Sequence, residues 1–265
     1  MSEKMVSLPE GMKIVLLDLD GTIHLGGTPI PGAVDFIQRC HENGVKTIFL
    51  SNNSSKSVNE YVMKLNSMGI DARADDVLLS THDCIQWLKK KNWTKIYCIG
   101  TKGMKDMMVE NGIECLEEDV DCVVLGYDTE LTYEKLSKAT SLIHQNIPLV
   151  ATHPDIVCPS PDGGLPDVGA ILKMIELTTG VQPTIITGKP RPEMILGRLN
   201  IEGVEPSKVA MIGDRLYTDM EMARSSGVVS VLVLSGEATK EDVDNYSWTP
   251  DFIVNSVDDI VFYSA

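Results

Sequence analysis

Two carboxylates two residues apart close a short aliphatic segment near the start of the chain, Asp18 and Asp20. The apolar run over residues 14–17 is typical of a strand buried on both faces of a parallel sheet. Side chains alternate along a strand, so the two carboxylates start on the same side, and Gly21 lets the chain turn sharply behind them. Two close anions repel each other unless a cation lies between them or one stays protonated. The pair therefore indicates a cation or acid–base site, and the plainer interpretation is a polar strand end that continues into a loop.

A second pair of carboxylates follows another apolar segment in the last third of the chain. Asp214 comes after the segment 208–212 and Gly213, and Asp219 begins a helical stretch shortly afterwards. The glycine lets the backbone come close to a ligand. Carboxylate oxygens form the hard donor set that suits Mg²⁺. This pair repeats the design of the first and predicts a share in a magnesium site.

Two further sets consist of small polar residues and a lysine at predicted strand ends. Ser51 and Asn52 follow the segment 45–50, where hydroxyl, amide and backbone N–H groups can donate to an anion. Lys189 follows the segment 184–186 and can neutralise a charged ligand as a compact point charge. Each set is weak alone, because Ser and Asn are common turn residues.

The elements that must position these residues alternate between strand and helix signals along the chain. This alternation predicts an α/β fold, with parallel sheets that carry helices on their faces. Ligands bind at the carboxyl ends of the strands in such sheets. The four sets therefore meet along one edge if their strands are neighbours. The Pro- and Gly-rich segment 153–167 is predicted to be a long working loop.

Composition excludes several classes of partner. The 265 residues suffice for one large domain or two modest ones. A formal net charge of −15 without a basic block argues against a nucleic-acid backbone or an anionic membrane surface as a partner. Residues 1–4 contain no signal-peptide apolar region, no apolar stretch reaches the length of a membrane span, and no Cys-x-x-Cys pair occurs. We therefore expect a cytoplasmic protein with reduced thiols.

In order and spacing, the four sets resemble the four motifs of the haloacid dehalogenase (HAD) superfamily of phosphohydrolases. The motifs that carry the resemblance are Asp18-Leu19-Asp20-Gly21-Thr22, Ser51, Lys189, and Gly213-Asp214 with Asp219. Three further segments are similar to the NagD-like and 4-nitrophenylphosphatase subgroup, namely residues 124–128, 151–155 and 187–190. The resemblance covers essentially the whole chain.

The resemblance implies a doubly wound, Rossmann-like core with an inserted α/β cap that selects the substrate. Carried onto this chain, it places residues 1–80 and 184–265 in the catalytic core and residues 81–183 in the cap. A small phosphorylated metabolite is the partner that it implies, and a homodimer through the cap is an assembly that it allows.

The activity implied is a Mg²⁺-dependent phosphatase that hydrolyses small phosphate monoesters through an aspartyl-phosphate intermediate. A nucleotide or a sugar phosphate is an expected substrate, with 4-nitrophenyl phosphate as a substrate in vitro. Asp18 is implied as the nucleophile, and Asp20 as the general acid and base. Asp18, the backbone carbonyl of Asp20, and Asp214 are the implied Mg²⁺ ligands, and Asp219 is implied to support them. Ser51, Asn52 and Lys189 are implied to bind the phosphate oxygens.

Two histidines depart from the subgroup's pattern. His24 stands where an aromatic residue is frequent, and His153 stands where Asn is frequent. Each can face the substrate or simply pack, and packing or exposure at the surface is favoured for His24. Arg215 and Tyr217 lie close in sequence to Asp214, an implied metal ligand, and their roles stay open. Two alternative functions also stay open, a phosphomutase on the same core and a non-catalytic sensor of metal and phosphate.

Overall fold

The computed structural model describes residues 5–160 and 163–262. Residues 1–4, on which the prediction about a signal peptide rests, lie outside the described residues, as do residues 161–162 of the predicted working loop. Among the described residues, no helix is both long and apolar enough to cross a bilayer.

Strands and helices alternate along most of the chain. In chain order, the strands are β1 (Val6–Ser7), β2 (Ile14–Asp18), β3 (His24–Leu25), β4 (Thr28–Pro29), β5 (Lys46–Ser51), β6 (Val77–Leu79), β7 (Lys95–Ile99), β8 (Glu114–Cys115), β9 (Cys122–Leu125), β10 (Leu149–Ala151), β11 (Val157–Cys158), β12 (Leu165–Pro166), β13 (Ile185–Ile186), β14 (Val209–Gly213), β15 (Val229–Val233), β16 (Phe252–Val254) and β17 (Ile260–Val261). The α-helices are α1 (Ala33–Glu42), α2 (Val58–Ser67), α3 (Ser80–Lys91), α4 (Lys102–Glu110), α5 (Tyr133–His144), α6 (Val168–Thr179), α7 (Glu193–Glu202), α8 (Glu221–Ser226) and α9 (Lys240–Asn245).

The chain divides into two compact units. The first unit consists of Met1–Leu50, Val62–Leu78 and Pro190–Ala265, and the second of Ser51–Tyr61 and Leu79–Lys189. The sequence argument assigned the whole of residues 1–80 to a core. The assignment of core and cap roles to these units stays a prediction.

A six-stranded sheet of order β16–β15–β14–β2–β5–β6 forms the centre of the first unit. Its strands from β16 to β5 run parallel to their neighbours. Leu17 pairs with Ile212, which makes β2 and β14 adjacent as the sequence argument requires. All five residues of β2 are buried. Leu16 and Met211 pack in one core with Leu199 of α7 and Ala223 of α8.

The second unit has its own five-stranded parallel sheet, of order β13–β10–β9–β7–β8. Its core joins Val123 and Leu125 of β9 to Leu142 of α5 and to Ile171 and Ile175 of α6. Because both large sheets are built from short, buried aliphatic strands that alternate with helices, the predicted α/β class is confirmed.

Two short antiparallel hairpins were missed by the sequence argument. In β3 and β4, His24 pairs with Pro29, directly behind the Asp18–Asp20 turn. In β11 and β12, Cys158 pairs with Leu165 inside the segment predicted to be a loop. Strands of two residues are too short to show the period-two pattern by which a strand is recognised.

Candidate active site

Three buried carboxylates lie together in the first unit, and we call them the carboxylate cluster: Asp18, Asp214 and Asp219. Asp18 is the last residue of β2, and Asp214 follows β14, which pairs with β2. One ligand oxygen from each of the three lies within 4.8 Å of the others. The residues are 8%, 2% and 0% exposed. Close, buried carboxylates repel one another, and their hard oxygen atoms suit Mg²⁺, so the donor set fits the predicted metal.

A π-helical turn brings Asp219 into the cluster. The turn spans Leu216–Met220, and the backbone N–H of Arg215 donates to Asp219 Oδ2 over 3.2 Å. A Cβ on Gly213 would lie 2.5 Å from Asp219 Cβ, so the strand end and the turn approach this closely only with glycine. Asp219 was expected to support the metal ligands, and here its own carboxylate lies among theirs.

The loop after β15 also holds the cluster, and sequence reasoning missed it. The N–H of Glu237 donates to Asp214 Oδ2 over 2.7 Å, and Ser235 Oγ donates to the carbonyl of Gly21 over 2.7 Å. A Cβ on Gly236 would lie 2.0 Å from Asp214 Oδ2. The signal available was position, because Ser235-Gly236-Glu237 follows a strong strand pattern as the four recognised sets do.

The side chain of Glu237 fixes the two residues whose roles were left open. Its carboxylate accepts from Tyr217 OH over 2.7 Å and lies 2.9 Å from Arg215 Nε. Arg215 and Tyr217 are therefore held beside the carboxylate cluster by the residue whose backbone holds Asp214.

Asp20 contacts a buried histidine. His24 Nδ1 lies 3.1 Å from Asp20 Oδ1, with the imidazole fully buried and the Asp20 side chain 43% exposed. Burial raises the pKa of Asp20, but the contact with His24 and two nearby positive charges together hold that pKa below its ordinary value. His24 is thus not a surface residue, and it lies against the side chain predicted to be the general acid.

Asn52 and Lys189 lie against each other in the second unit. Asn52 Nδ2 donates to the carbonyl of Lys189 over 3.1 Å, and the N–H of Lys189 donates to Asn52 Oδ1 over 2.8 Å. Asn52 Nδ2 also donates to Asp155 Oδ1 over 3.0 Å. An amide group has two N–H donors, and both are used here. The Asn52 side chain therefore holds the backbone of Lys189.

Ser51 is buried at the end of β5. Its Oγ lies 3.1 Å from Tyr61 OH and accepts from the N–H of Asn53 over 3.2 Å. A hydroxyl group has one donor and two acceptor sites. Ser51 thus organises its own turn, and its predicted phosphate contact stays a prediction.

His153 is fully buried, and both nitrogens of its imidazole ring contact polar side chains. Its Nδ1 lies 2.9 Å from Thr152 Oγ1, and its Nε2 lies 2.9 Å from Asp167 Oδ1, which also accepts from the N–H of Val168 at the start of α6. His153, Asp155 and Asp167 offer ligand atoms within 4.8 Å of one another. Both imidazole nitrogens are already engaged, so His153 joins β10 to α6.

The structure brings together two groups of predicted residues, the carboxylate cluster in the first unit and Asn52 with Lys189 in the second. The expectation that all four sets converge on one site stays a prediction.

Comparisons with known proteins agree with this architecture. A family model for haloacid dehalogenase-like hydrolases matches residues 15–114, and a HAD-hydrolase-like model matches residues 186–260. An acid sugar phosphatase of Staphylococcus epidermidis is 36% identical over 239 residues, which cover 89% of this chain and 92% of the relative.

Two solved structures share the fold over most of the chain. The 4-nitrophenylphosphatase of Thermotoga maritima has a TM-score of 0.90 and 39% identity, over 94% of this chain and 96% of the other. A glycerol phosphate phosphatase of Mycobacterium tuberculosis in complex with magnesium has a TM-score of 0.89 and 26% identity, over 96% of this chain and 78% of the other.

The fold, the carboxylate cluster and these relatives define a phosphoric monoester hydrolase. The chain belongs to the haloacid dehalogenase-like hydrolases, in their NagD-like phosphatase group, which confirms the resemblance seen in the sequence.

Proposed function

We propose that this phosphatase is Mg²⁺-dependent and hydrolyses small phosphate monoesters, sugar phosphates among them, through an aspartyl-phosphate intermediate on Asp18. The observation that carries the proposal is the set of three buried carboxylates with oxygen atoms within 4.8 Å of one another. The acid sugar phosphatase of S. epidermidis supports the substrate class, and the magnesium complex of the M. tuberculosis phosphatase supports the metal.

Asp18, Asp214 and the backbone carbonyl of Asp20 would hold the metal, with Asp219 beside them. When bound, Mg²⁺ would offset the negative charge of the phosphate ester near these carboxylates. Such compensation matters because phosphate monoesters hydrolyse very slowly in water.

The chain's own residues would divide the reaction into two steps. In the first, an Asp18 oxygen bonds to phosphorus, the bond to the leaving oxygen breaks, and Asp20 gives that oxygen a proton. In the second, Asp20 takes a proton from water, the water oxygen bonds to phosphorus, and inorganic phosphate leaves Asp18. The lowered pKa of Asp20 favours its ionised form, which suits the second step, whereas the first step uses the protonated form.

Lys189 and Ser51 would bind the phosphate oxygens, as the family's motifs imply. Lys189 supplies a compact positive charge and Ser51 supplies a hydroxyl. Asn52 would contribute by holding the backbone of Lys189, since its amide hydrogens already bond to Lys189 and Asp155.

The test is phosphate release from 4-nitrophenyl phosphate and from a panel of sugar phosphates, with and without Mg²⁺. Asp18→Asn should reduce turnover by about 10⁴-fold or more, because the variant has lost its nucleophile. Circular dichroism and thermal melting check that its fold is intact. Wild-type turnover in this variant would refute the assignment, and sugar phosphate isomerised without phosphate release would indicate a phosphomutase.

A further inference from the structure

One buried carboxylate of the second unit has no part in the proposed reaction. Asp83 lies in the first turn of α3 and is 4% exposed. Its Oδ2 accepts from the backbone N–H of Gly188 over 2.8 Å. A buried carboxylate is costly unless it is hydrogen-bonded, and a charged acceptor makes a stronger bond to N–H than a neutral one. Asp83 therefore fixes the residue that precedes Lys189.

Gly188 forms a tight turn that only glycine fits. Its φ is +74°, and an added Cβ would lie 2.6 Å from the carbonyl oxygen of Thr152 and 2.8 Å from Asn52 Oδ1. Side chains rarely adopt this φ, and no space exists for one here. The backbone at Gly188 is therefore enclosed on several sides, with its N–H directed at Asp83.

The first turn of α3 joins the segments that follow β5 and β13. Ser80 Oγ donates to the carbonyl of Asn52, and Asp83 accepts from Gly188. Asn52 in turn holds the N–H and the carbonyl of Lys189. Two consecutive backbone N–H groups, of Gly188 and Lys189, are thus each bound by a buried side-chain oxygen.

We propose that Asp83 is a positioning residue for Lys189, which acts by fixing the Gly188 turn from which the lysine side chain leaves the backbone. This inference rests on the proposed role of Lys189 in binding phosphate oxygens. In this role Asp83 acts through the backbone N–H of Gly188. Its removal frees the turn, so the ammonium group no longer holds one place and transition-state stabilisation falls.

A double-mutant cycle tests the inference through kcat and KM for 4-nitrophenyl phosphate with Mg²⁺. Lys189→Met should lower kcat/KM by about 10²–10³-fold, as for loss of one charged group at a reacting phosphoryl group. Asp83→Ala alone should lower kcat/KM by about 10–100-fold. In the Lys189→Met background, Asp83→Ala should cause no further loss beyond about twofold, because the group it positions is already absent.

Two further variants separate positioning from general support of the fold. Asp83→Asn keeps an oxygen acceptor for Gly188 and should recover most of kcat/KM. If Asp83→Ala fails to fold, Asp83→Ser replaces it in the cycle, because its shorter side chain draws the acceptor away from the N–H of Gly188. Asp121→Ala is the matched control, since Asp121 also accepts from backbone N–H groups of the second unit, those of Thr94 and Lys95. It should leave kcat/KM within about twofold of the wild type.

The possible failures are distinguishable. Additive losses in the double variant, or an Asp121→Ala loss equal to that of Asp83→Ala, would overturn the positioning role and leave the proposed function standing. Wild-type kinetics in Lys189→Met would overturn the proposed role of Lys189 and this inference with it.

Discussion

The carboxylate cluster and the Lys189 segment, by which we mean Gly188 and Lys189, use polar side chains in opposite ways. In the cluster, side-chain oxygens of Asp18, Asp214 and Asp219 gather within 4.8 Å of one another. In the Lys189 segment, the side chains of Asn52 and Asp83 bond to the backbone of Lys189 and Gly188. A polar side chain at a strand end is therefore a candidate for binding or catalysis only if it is not already used in hydrogen bonds to the backbone.

The two regions also differ in energy. Three carboxylates brought this close raise the free energy of the metal-free protein, because like charges repel one another. A bound cation would remove that repulsion and stabilise the folded state. In the Lys189 segment, by contrast, the amide and carboxylate groups that hold the backbone are already hydrogen-bonded within the second unit.

The largest effect that would sharpen this comparison is expected for Asp214→Ala. Loss of one of three clustered carboxylates should lower phosphatase activity by about 10²–10³-fold. It should also abolish any rise in melting temperature that Mg²⁺ gives the wild type, since ligand binding stabilises only a protein that binds. Differential scanning fluorimetry across a Mg²⁺ titration gives this second measurement.

Asp251→Ala is the control for that experiment. Asp251 Oδ2 accepts from the N–H and the hydroxyl of Ser230 in the same unit, away from the strand ends that carry the cluster. This variant should melt at a lower temperature and keep its response to Mg²⁺. An unchanged Mg²⁺ response in Asp214→Ala would remove Asp214 from the metal site.

The sequence predicted the residues of the carboxylate cluster because their signal is local. An aliphatic run followed by Asp marks both Asp18 and Asp214 without knowledge of the strand order. The loop that holds Asp214 was missed: its place after a strand pattern was visible in the sequence, but the close approach of Gly236 to Asp214 exists only in three dimensions.

The second unit was harder to predict, because its important contacts join distant residues. Asn52 was singled out by its position, and its bond to Lys189, 137 residues away in the chain, was not visible from that position. Asp83 gave no signal, since an acidic residue in a first helical turn is ordinary. Likewise, the contact of Ser54 Oγ with Thr152 Oγ1 within the second unit joins residues 98 positions apart, and the predicted core and cap bounds stay a prediction.

A smaller effect is expected for Gly236→Ala, which changes no functional group. The added Cβ would lie 2.0 Å from Asp214 Oδ2, so the loop or the carboxylate must move. Outer contacts of this kind typically change activity by about 10–100-fold, and we expect the loss here to come with a higher Mg²⁺ requirement. Gly44→Ala is the matched control, because its Cβ meets nothing within 4 Å at a φ of +69°. Gly44→Ala should lower the free energy of unfolding by about 1 kcal/mol and leave the kinetics unchanged. Equal kinetic losses in both variants would show that the close approach of Gly236 to Asp214 does not matter for activity.

The smallest effect on activity is expected for Asn52→Asp, which tests the Lys189 segment rather than the carboxylate cluster. The change keeps an acceptor for the N–H of Lys189 but removes the donors to the carbonyl of Lys189 and to Asp155. The unfolding free energy should fall by about 1–3 kcal/mol at neutral pH, measured by urea denaturation. Asp155 should raise the pKa of the new carboxyl group above its unfolded value, so the deficit should shrink as the pH falls through that raised pKa.

Asn53→Asp is the control, because Asn53 uses its side-chain oxygen to accept from Ser55 and a carboxylate keeps that bond. If the amide of Asn52 served the phosphate rather than the backbone, Asn52→Asp would behave like this control in denaturation and would instead raise KM. A stability loss in Asn52→Asp that persists in part below the pKa of the new carboxyl group, without a matching loss in Asn53→Asp, assigns Asn52 to the backbone, since repulsion from Asp155 no longer contributes once that group is protonated.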